Sequence, residues 1–207
     1  MAKILHIQTS PMGERSYSKR AAQVFLDAYF AAHPQDVIEE RELWRPDLPH
    51  FDGTSASGKY KIMRGLDHTE EEARAWKEVV ALVDQLKGAD KIVVSAGMWN
   101  FSIPYRLKQY IDIVVQPGLT FSFDPEKGYT GLVTGRNLQL ILASGGEYPT
   151  GSPMAAYDFQ KPYLETIFGF MGFVDIRTLR VEGTLSPEGP ANLDHAKELL
   201  VKAASSF

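Results

Sequence analysis

KILHIQTSPMGERSYS, residues 3–18, is the stretch on which the fold turns. Its first six residues, Lys3 to Gln8, are a short β-branched and apolar run that stops at Thr9, Ser10 and Pro11, the pattern of a buried strand ending in a loop. Helix signals follow at once. Ser16 or Ser18 can cap a segment in which Ala22, Phe25, Leu26 and Tyr29 recur at helical spacing, until His33 and Pro34 end it. Strand, loop and helix in direct succession make the opening unit of an alternating α/β chain.

The unit recurs. Residues 37–43 read as a second strand, and Pro46, Pro49, Gly53, Ser55, Ser57 and Gly58 give the stretch after it loop composition. Thr69 and Glu72 have capping-box spacing, and Ala73, Trp76, Val80, Val83 and Leu86 form an apolar stripe closed by Lys87 and Gly88. The acidic run Glu70, Glu71 and Glu72 suits the positive end of that helix dipole and points to no metal. A third strand is expected over residues 91–95, a third helix over 104–115 with Pro104 in its first turn, and a fourth strand over 138–143. A helix over 155–170, a strand over 173–181 and a last helix from about Pro190 complete the pattern. Strand and helix alternating five times imply a parallel sheet with helices on both faces. Right-handed crossovers leave the five-stranded flavodoxin-like order 2-1-3-4-5 as the simplest topology, in a single domain spanning 1–207. Residues 120–131, between the third helix and the fourth strand, have hairpin character and interrupt the alternation.

Composition bounds the function. With 207 residues, 44% hydrophobic and 23% charged, the chain is long enough to bury a core. A formal charge of -4 supplies no basic stripe for nucleic-acid phosphates. There is no cysteine, so electron chemistry would have to come from a bound cofactor. No apolar stretch approaches membrane-spanning length, and a soluble, cytoplasmic protein is the expectation.

In an open parallel sheet, ligands bind outside the carboxyl ends of the strands, where strand order reverses. The loops so placed are residues 10–18, 97–101 and 144–148. The first offers the hydroxyls of Ser10, Ser16 and Ser18 beside the free amides of a helix N-terminus, chemistry suited to a terminal phosphate. It carries no GxGxxG or GxxxxGK[ST] pattern, which favours a monophosphate such as FMN over a triphosphate. The alternative is that Ser16 or Ser18 merely caps the helix. In the second loop Met98 and Trp99 can border a flat ring while Asn100 bonds its heteroatoms. Alternatively Met98, Trp99 and Phe101 pack in the core and Ser102 caps the next helix. Gly145 and Gly146 in the third loop allow close approach of backbone to a ring.

These loops together resemble the FMN-dependent NADH:quinone oxidoreductase and azoreductase family, and the likeness covers nearly the whole chain. Its most specific stretch is MWNFSIPYRLKQYID, residues 98–112, followed by GLTF at 118–121 and GLVTGR at 131–136. The resemblance implies that Ser10, Ser16, Tyr17 and Ser18 hold the phosphate and ribityl end of FMN. It implies that Met98, Trp99, Asn100 and Phe101 line the ring, and that Ser144, Gly145, Gly146 and Tyr148 form its other edge. It further implies a homodimer with active sites at the interface, Phe121 and Phe123 helping to cover the partner's flavin. NADH or NADPH is the implied donor, with quinones and azo compounds as acceptors. The chain departs from the family pattern at Gly97, where proline is common, and at Ala143 and Ser144, which replace a common Ser-Arg pair.

The implied reaction is a two-step exchange in which the nicotinamide passes a hydride to flavin N5, leaves, and is replaced by the acceptor. No catalytic side chain is required. One rival is a flavodoxin-like electron carrier serving a protein partner, for which a charge of -4 gives a weak acidic docking face. Another is a hydrolase using Ser10, Ser95 or Ser144, but no GxSxG elbow is present. The histidines at 6, 33, 50, 68 and 195 read as strand, capping or solvated residues.

Overall fold

The computed structural model describes residues 1–45 and 48–207, so Pro46 of the expected loop lies outside the described residues. Five strands, β1 (Lys3–Gln8), β2 (Val37–Glu42), β3 (Lys91–Gly97), β6 (Asn137–Ala143) and β7 (Asp175–Val181), form one sheet in the order β2-β1-β3-β6-β7. Every pairing in it is parallel. Between β3 and β6, strands β4 (Phe121–Asp124) and β5 (Gly128–Gly131) pair antiparallel as the expected hairpin. With the hairpin set aside, this is the 2-1-3-4-5 order.

The central strands are buried on both faces, which is why they read as continuous apolar runs. Along β1, Leu5 and Ile7 face one way and Ile4 the other. The first face is covered by α3 (Glu70–Lys87), α4 (Tyr105–Val114) and α5 (Lys161–Met171) through Trp76, Val79, Leu107, Ile111, Leu164 and Phe168. The second is covered by α1 (Tyr17–Ala32) and α6 (Gly189–Ala204) through Phe25, Leu26, Leu193 and Leu200. Among the described residues no helix is long and apolar enough to cross a membrane.

Three local expectations need correction. The stretch expected as loop contains a helix, α2 (Gly53–Met63), started by Asp52, whose carboxylate accepts from the amides of Thr54 and Ser55 at 3.0 Å each. The helix expected from Ala155 begins at Lys161 instead. A short 3-10 turn over Pro153–Tyr157 precedes it, and the Asp158 carboxylate accepts from the amides of Gln160 and Lys161, fixing the later start. Ser102 does not cap α4, whose N-cap is Pro104; its backbone is engaged with Trp99. The capping box does form: Thr69 accepts from the Glu72 amide and Glu72 accepts from the Thr69 amide.

Candidate functional site

At the end of β1 the chain turns through a 3-10 segment at Gly13–Arg15 into α1. Ser16 is the N-cap, its Oγ accepting from the Lys19 amide at 3.3 Å and lying 3.1 Å from Ser18 Oγ. Both serines are buried, and the Tyr17 and Ser18 amides at the start of the helix have no intrahelical acceptor. Ser16 therefore both caps the helix and contributes to a polar cradle. Thr9 Oγ1, just before this loop, is buried with no hydrogen-bond partner.

The loop after β3 is tied to the neighbouring strand end by the Met98 amide, which donates to the Ala143 carbonyl at 2.7 Å. Trp99 and Ser102 then exchange two backbone hydrogen bonds of 2.9 Å, closing a two-residue turn over Asn100 and Phe101. Both tip residues adopt positive φ, 48° and 67°, as a primed turn demands. Trp44 braces this loop against the first one: its Nε1–H donates to the Thr9 carbonyl at 2.8 Å, and its ring lies 5.6 Å from Trp99 and 5.2 Å from Tyr105.

The loop after β6 is held from β7. The Ser144 amide donates to the Val181 carbonyl at 3.0 Å, the Thr184 amide donates to the Ser144 carbonyl at 3.0 Å, and Ser144 Oγ donates to the Gly146 carbonyl at 2.8 Å. A Cβ on Gly145 would lie 2.6 Å from the Leu185 side chain, so the small residue lets the loop after β7 fold over it.

The three loops meet at one cavity of about 270 Å³. Of the expected residues, Ser10, Ser16, Tyr17, Ser18, Met98, Trp99, Ser144 and Gly145 line it. Four others do not. Asn100 lines a larger, about 600 Å³ groove next door, together with Tyr105, Lys108 and Tyr163; Trp99 borders both spaces. Phe101 rests on Tyr157, with centroids 5.3 Å apart. Gly146, which is exposed, and the buried Tyr148 are outside the lining, the Tyr148 amide donating to Glu182 at 2.9 Å. Phe121 and Phe123 belong to the hairpin, Phe121 packed 4.7 Å from Phe170 and Phe123 4.9 Å from Tyr129, and neither reaches this cavity within the chain.

Met12, Arg15, Thr184 and Leu185 line the cavity without having been singled out from sequence. Arg15 had a signal, as the one cation in the first loop. Thr184 and Leu185 had none, because the strand-order rule points to the loops at the reversal and not to the one after the edge strand. As for the hydrolase, Ser95 does meet a histidine, His6 Nε2 lying 3.0 Å from its Oγ. The pair is sealed in the sheet, 1% and 2% exposed, and burial, helped by the charge of Lys19, lowers the His6 pKa to about 4. Among the described residues no histidine bonds the side chain of Ser10 or Ser144.

Known proteins resemble the chain in sequence and in fold. The profile of the family described by its flavodoxin-like fold matches residues 2–203. An FMN-dependent NADH:quinone oxidoreductase of Desulfotalea psychrophila is 49% identical over 186 residues, which are 90% of this chain and 87% of that protein. The crystal structure of an azoreductase from Bacillus anthracis superposes with a TM-score of 0.92 at 31% identity, covering 100% of both chains. An FMN-dependent NADH-azoreductase from the same species, solved in complex with FMN, superposes with a TM-score of 0.92 at 29% identity over 100% of this chain and 99% of that one. A match along almost the full length, in sequence and in backbone alike, leaves one conclusion: the chain belongs to the flavodoxin-like fold family, among its FMN-dependent NADH:quinone oxidoreductases and azoreductases.

Proposed function

We propose that this chain is an FMN-dependent oxidoreductase that carries electron pairs from NADH or NADPH to small planar acceptors, quinones and azo compounds. One observation carries the reading: three strand-end loops converge on a cavity whose lining combines the hydroxyls of Ser10, Ser16 and Ser18 with the broad side chains of Met98 and Trp99. FMN combines a phosphate at one end with a flat ring at the other, so the residues present fit it. Bound there, it would supply reversible two-electron chemistry at N5 of its ring.

The chain's own residues bind and orient. Ser10, Ser16 and Ser18, with the Tyr17 and Ser18 amides, hold the phosphate and ribityl end. Met98 and Trp99 wall the ring, and Asn100 borders it from the groove. Ser144 and Gly145 form the opposite edge, kept in shape by Gly146 and Tyr148, as Phe101 keeps the shape of the Trp99 turn. In this reading donor and acceptor use the groove beside Trp99 and Tyr105 in turn, which makes the order of the reaction ping-pong. No side chain serves as nucleophile.

In this reading the whole of 1–207 acts as one FMN-binding unit in the cytoplasm, paired as a homodimer in which Phe121 and Phe123 cover the partner's flavin. The support is the hairpin tip, where Phe123 is 60% and Tyr129 64% exposed on the chain alone. The deciding experiment is an anaerobic absorption spectrum of the purified protein with FMN. A flavin band bleached by NADH and restored by a quinone, with no partner protein present, is the expected result; a bound flavin that NADH does not bleach rejects the enzyme.

A further inference from the structure

One residue of the cavity is out of keeping with the rest. Its lining is otherwise uncharged: hydroxyls, glycines, alanine, and apolar or aromatic side chains, with no carboxylate among them. Arg15 is the exception. It sits at the end of the 3-10 segment, immediately before the N-cap Ser16 and the first-turn amides of the 16-residue α1. Its neighbour Glu14 is spent on Lys19, with the carboxylate 3.3 Å from Nζ, whereas Arg15 pairs with no carboxylate among the described residues. An exposed arginine with no carboxylate partner, in the lining of a cavity that otherwise offers hydroxyls and helix amides, is a complement to a dianion, and a guanidinium adds a forked, charge-assisted contact that neutral donors do not provide.

We propose that Arg15 is a specificity residue of this site: it makes binding depend on the terminal phosphate of the flavin, so that FMN is selected over riboflavin. The inference rests on the FMN reading of the cavity. The serines and helix amides can accept either flavin by neutral hydrogen bonds. Arg15 responds only to the charge that distinguishes them. Because its side chain is exposed and its own backbone bond, the Arg15 amide to the Met12 carbonyl at 3.2 Å, does not involve the guanidinium, removing the charge leaves the loop's scaffold in place.

The test is a two-by-two binding measurement by flavin fluorescence or calorimetry, wild type and Arg15→Gln against FMN and riboflavin. Arg15→Gln is expected to weaken FMN binding by about tenfold, as loss of a charge-assisted contact would. Riboflavin binding should stay within about twofold of wild type, since the neutral contacts persist. The fall of FMN affinity with added salt should also be shallower in the variant, one opposite charge having been removed from the contact. Arg15→Lys should recover part of the selectivity, through charge without the fork. Equal weakening for both flavins overturns the inference, because Arg15 would then shape the loop rather than read the phosphate; no change for either overturns it as well. A wild-type protein that binds neither flavin overturns the FMN reading itself, a separate and distinguishable failure.

Discussion

Asn100 and Phe101 occupy left-handed backbone because the two hydrogen bonds between Trp99 and Ser102 leave only two residues to reverse the chain. Asparagine tolerates that region; phenylalanine pays for its Cβ at about 1–2 kcal/mol. The strained tip aims Trp99 between the cavity and the groove while Asn100 points into the groove alone. Replacing the ring by Ala and by Gly separates the two contributions, since both variants lose the contact with Tyr157 and only glycine relieves the φ of 67°. Phe101→Gly should therefore be more stable than Phe101→Ala by about 1 kcal/mol in urea denaturation. Equal midpoints would show that the residue is not held left-handed in solution. The same turn explains how far the site was legible. The residue types of Ser10, Ser16, Met98, Trp99 and Gly145 announce a phosphate and a ring, and the cavity gathers them. The turn's direction was not legible, so Asn100 and Phe101 were expected at a surface they do not line. Nor could Trp44 be foreseen, because its hydrogen bond to Thr9 and its packing on Trp99 exist only once β2 and β3 flank β1.

Among the elements, α2 shows what a sequence pattern cannot carry. Its residues, GTSASGKYKIM, have loop composition and little apolar periodicity; its buried members are Ser55 and Gly58. What stabilises it is docking on α3. Ser57 Oγ donates to Glu72 at 2.5 Å, Lys61 Nζ donates to both oxygens of the same carboxylate at 2.7 and 3.0 Å, and the backbones approach so closely that a Cβ on Gly58 would lie 2.4 Å from the Glu72 carbonyl oxygen. Gly58→Ala should force the helices apart and cost about 1–3 kcal/mol in spite of alanine's better helix propensity. Guanidinium titration of the variant checks this, and a gain in stability would mean that the two helices have room for the added methyl group. By contrast the capping box of α3 was legible because both of its residues lie within one turn and need no partner element. The start of α5 was legible in principle from Pro162, which suits a first helical turn, but the apolar residues upstream of it masked the boundary.

Across the whole molecule, the order of the sheet was readable because parallel strands buried on both faces must be apolar throughout, as Ile4, Leu5, Ile7, Ile92, Val93, Val94 and Leu138 to Leu142 largely are. The polar residues set into those strands were readable as identities and not as consequences, and His6 is the clearest case. It lies in the sheet against Ser95, with Gln8 3.5 Å from Nδ1, Glu40 4.0 Å away, and Lys19 near enough to oppose a second positive charge. Burial first, and Lys19 next, lower its pKa from 6.5 to about 4. An unfolded chain takes up a proton on this ring below about pH 6.5, whereas the native state refuses it until about pH 4. Stability is thus intact above pH 6.5, falls as the pH drops through that interval, and levels off below pH 4, for a total of about 3 kcal/mol from this group. Glu72 acts in the next window down: hydrogen bonds from Lys61, Ser57 and the Thr69 amide lower its pKa from 4.5 to about 2, so its contribution is present above pH 4.5 and is lost towards pH 2. Urea midpoints of the wild type should accordingly decline in two successive steps on acidification. His6→Gln keeps an amide that can bond Ser95 and cannot titrate, so it should abolish the upper step and retain the lower one. If the variant declines between pH 6.5 and 4 as steeply as the wild type, the upper step belongs to other groups and His6 is not the buried neutral ring that the sheet encloses.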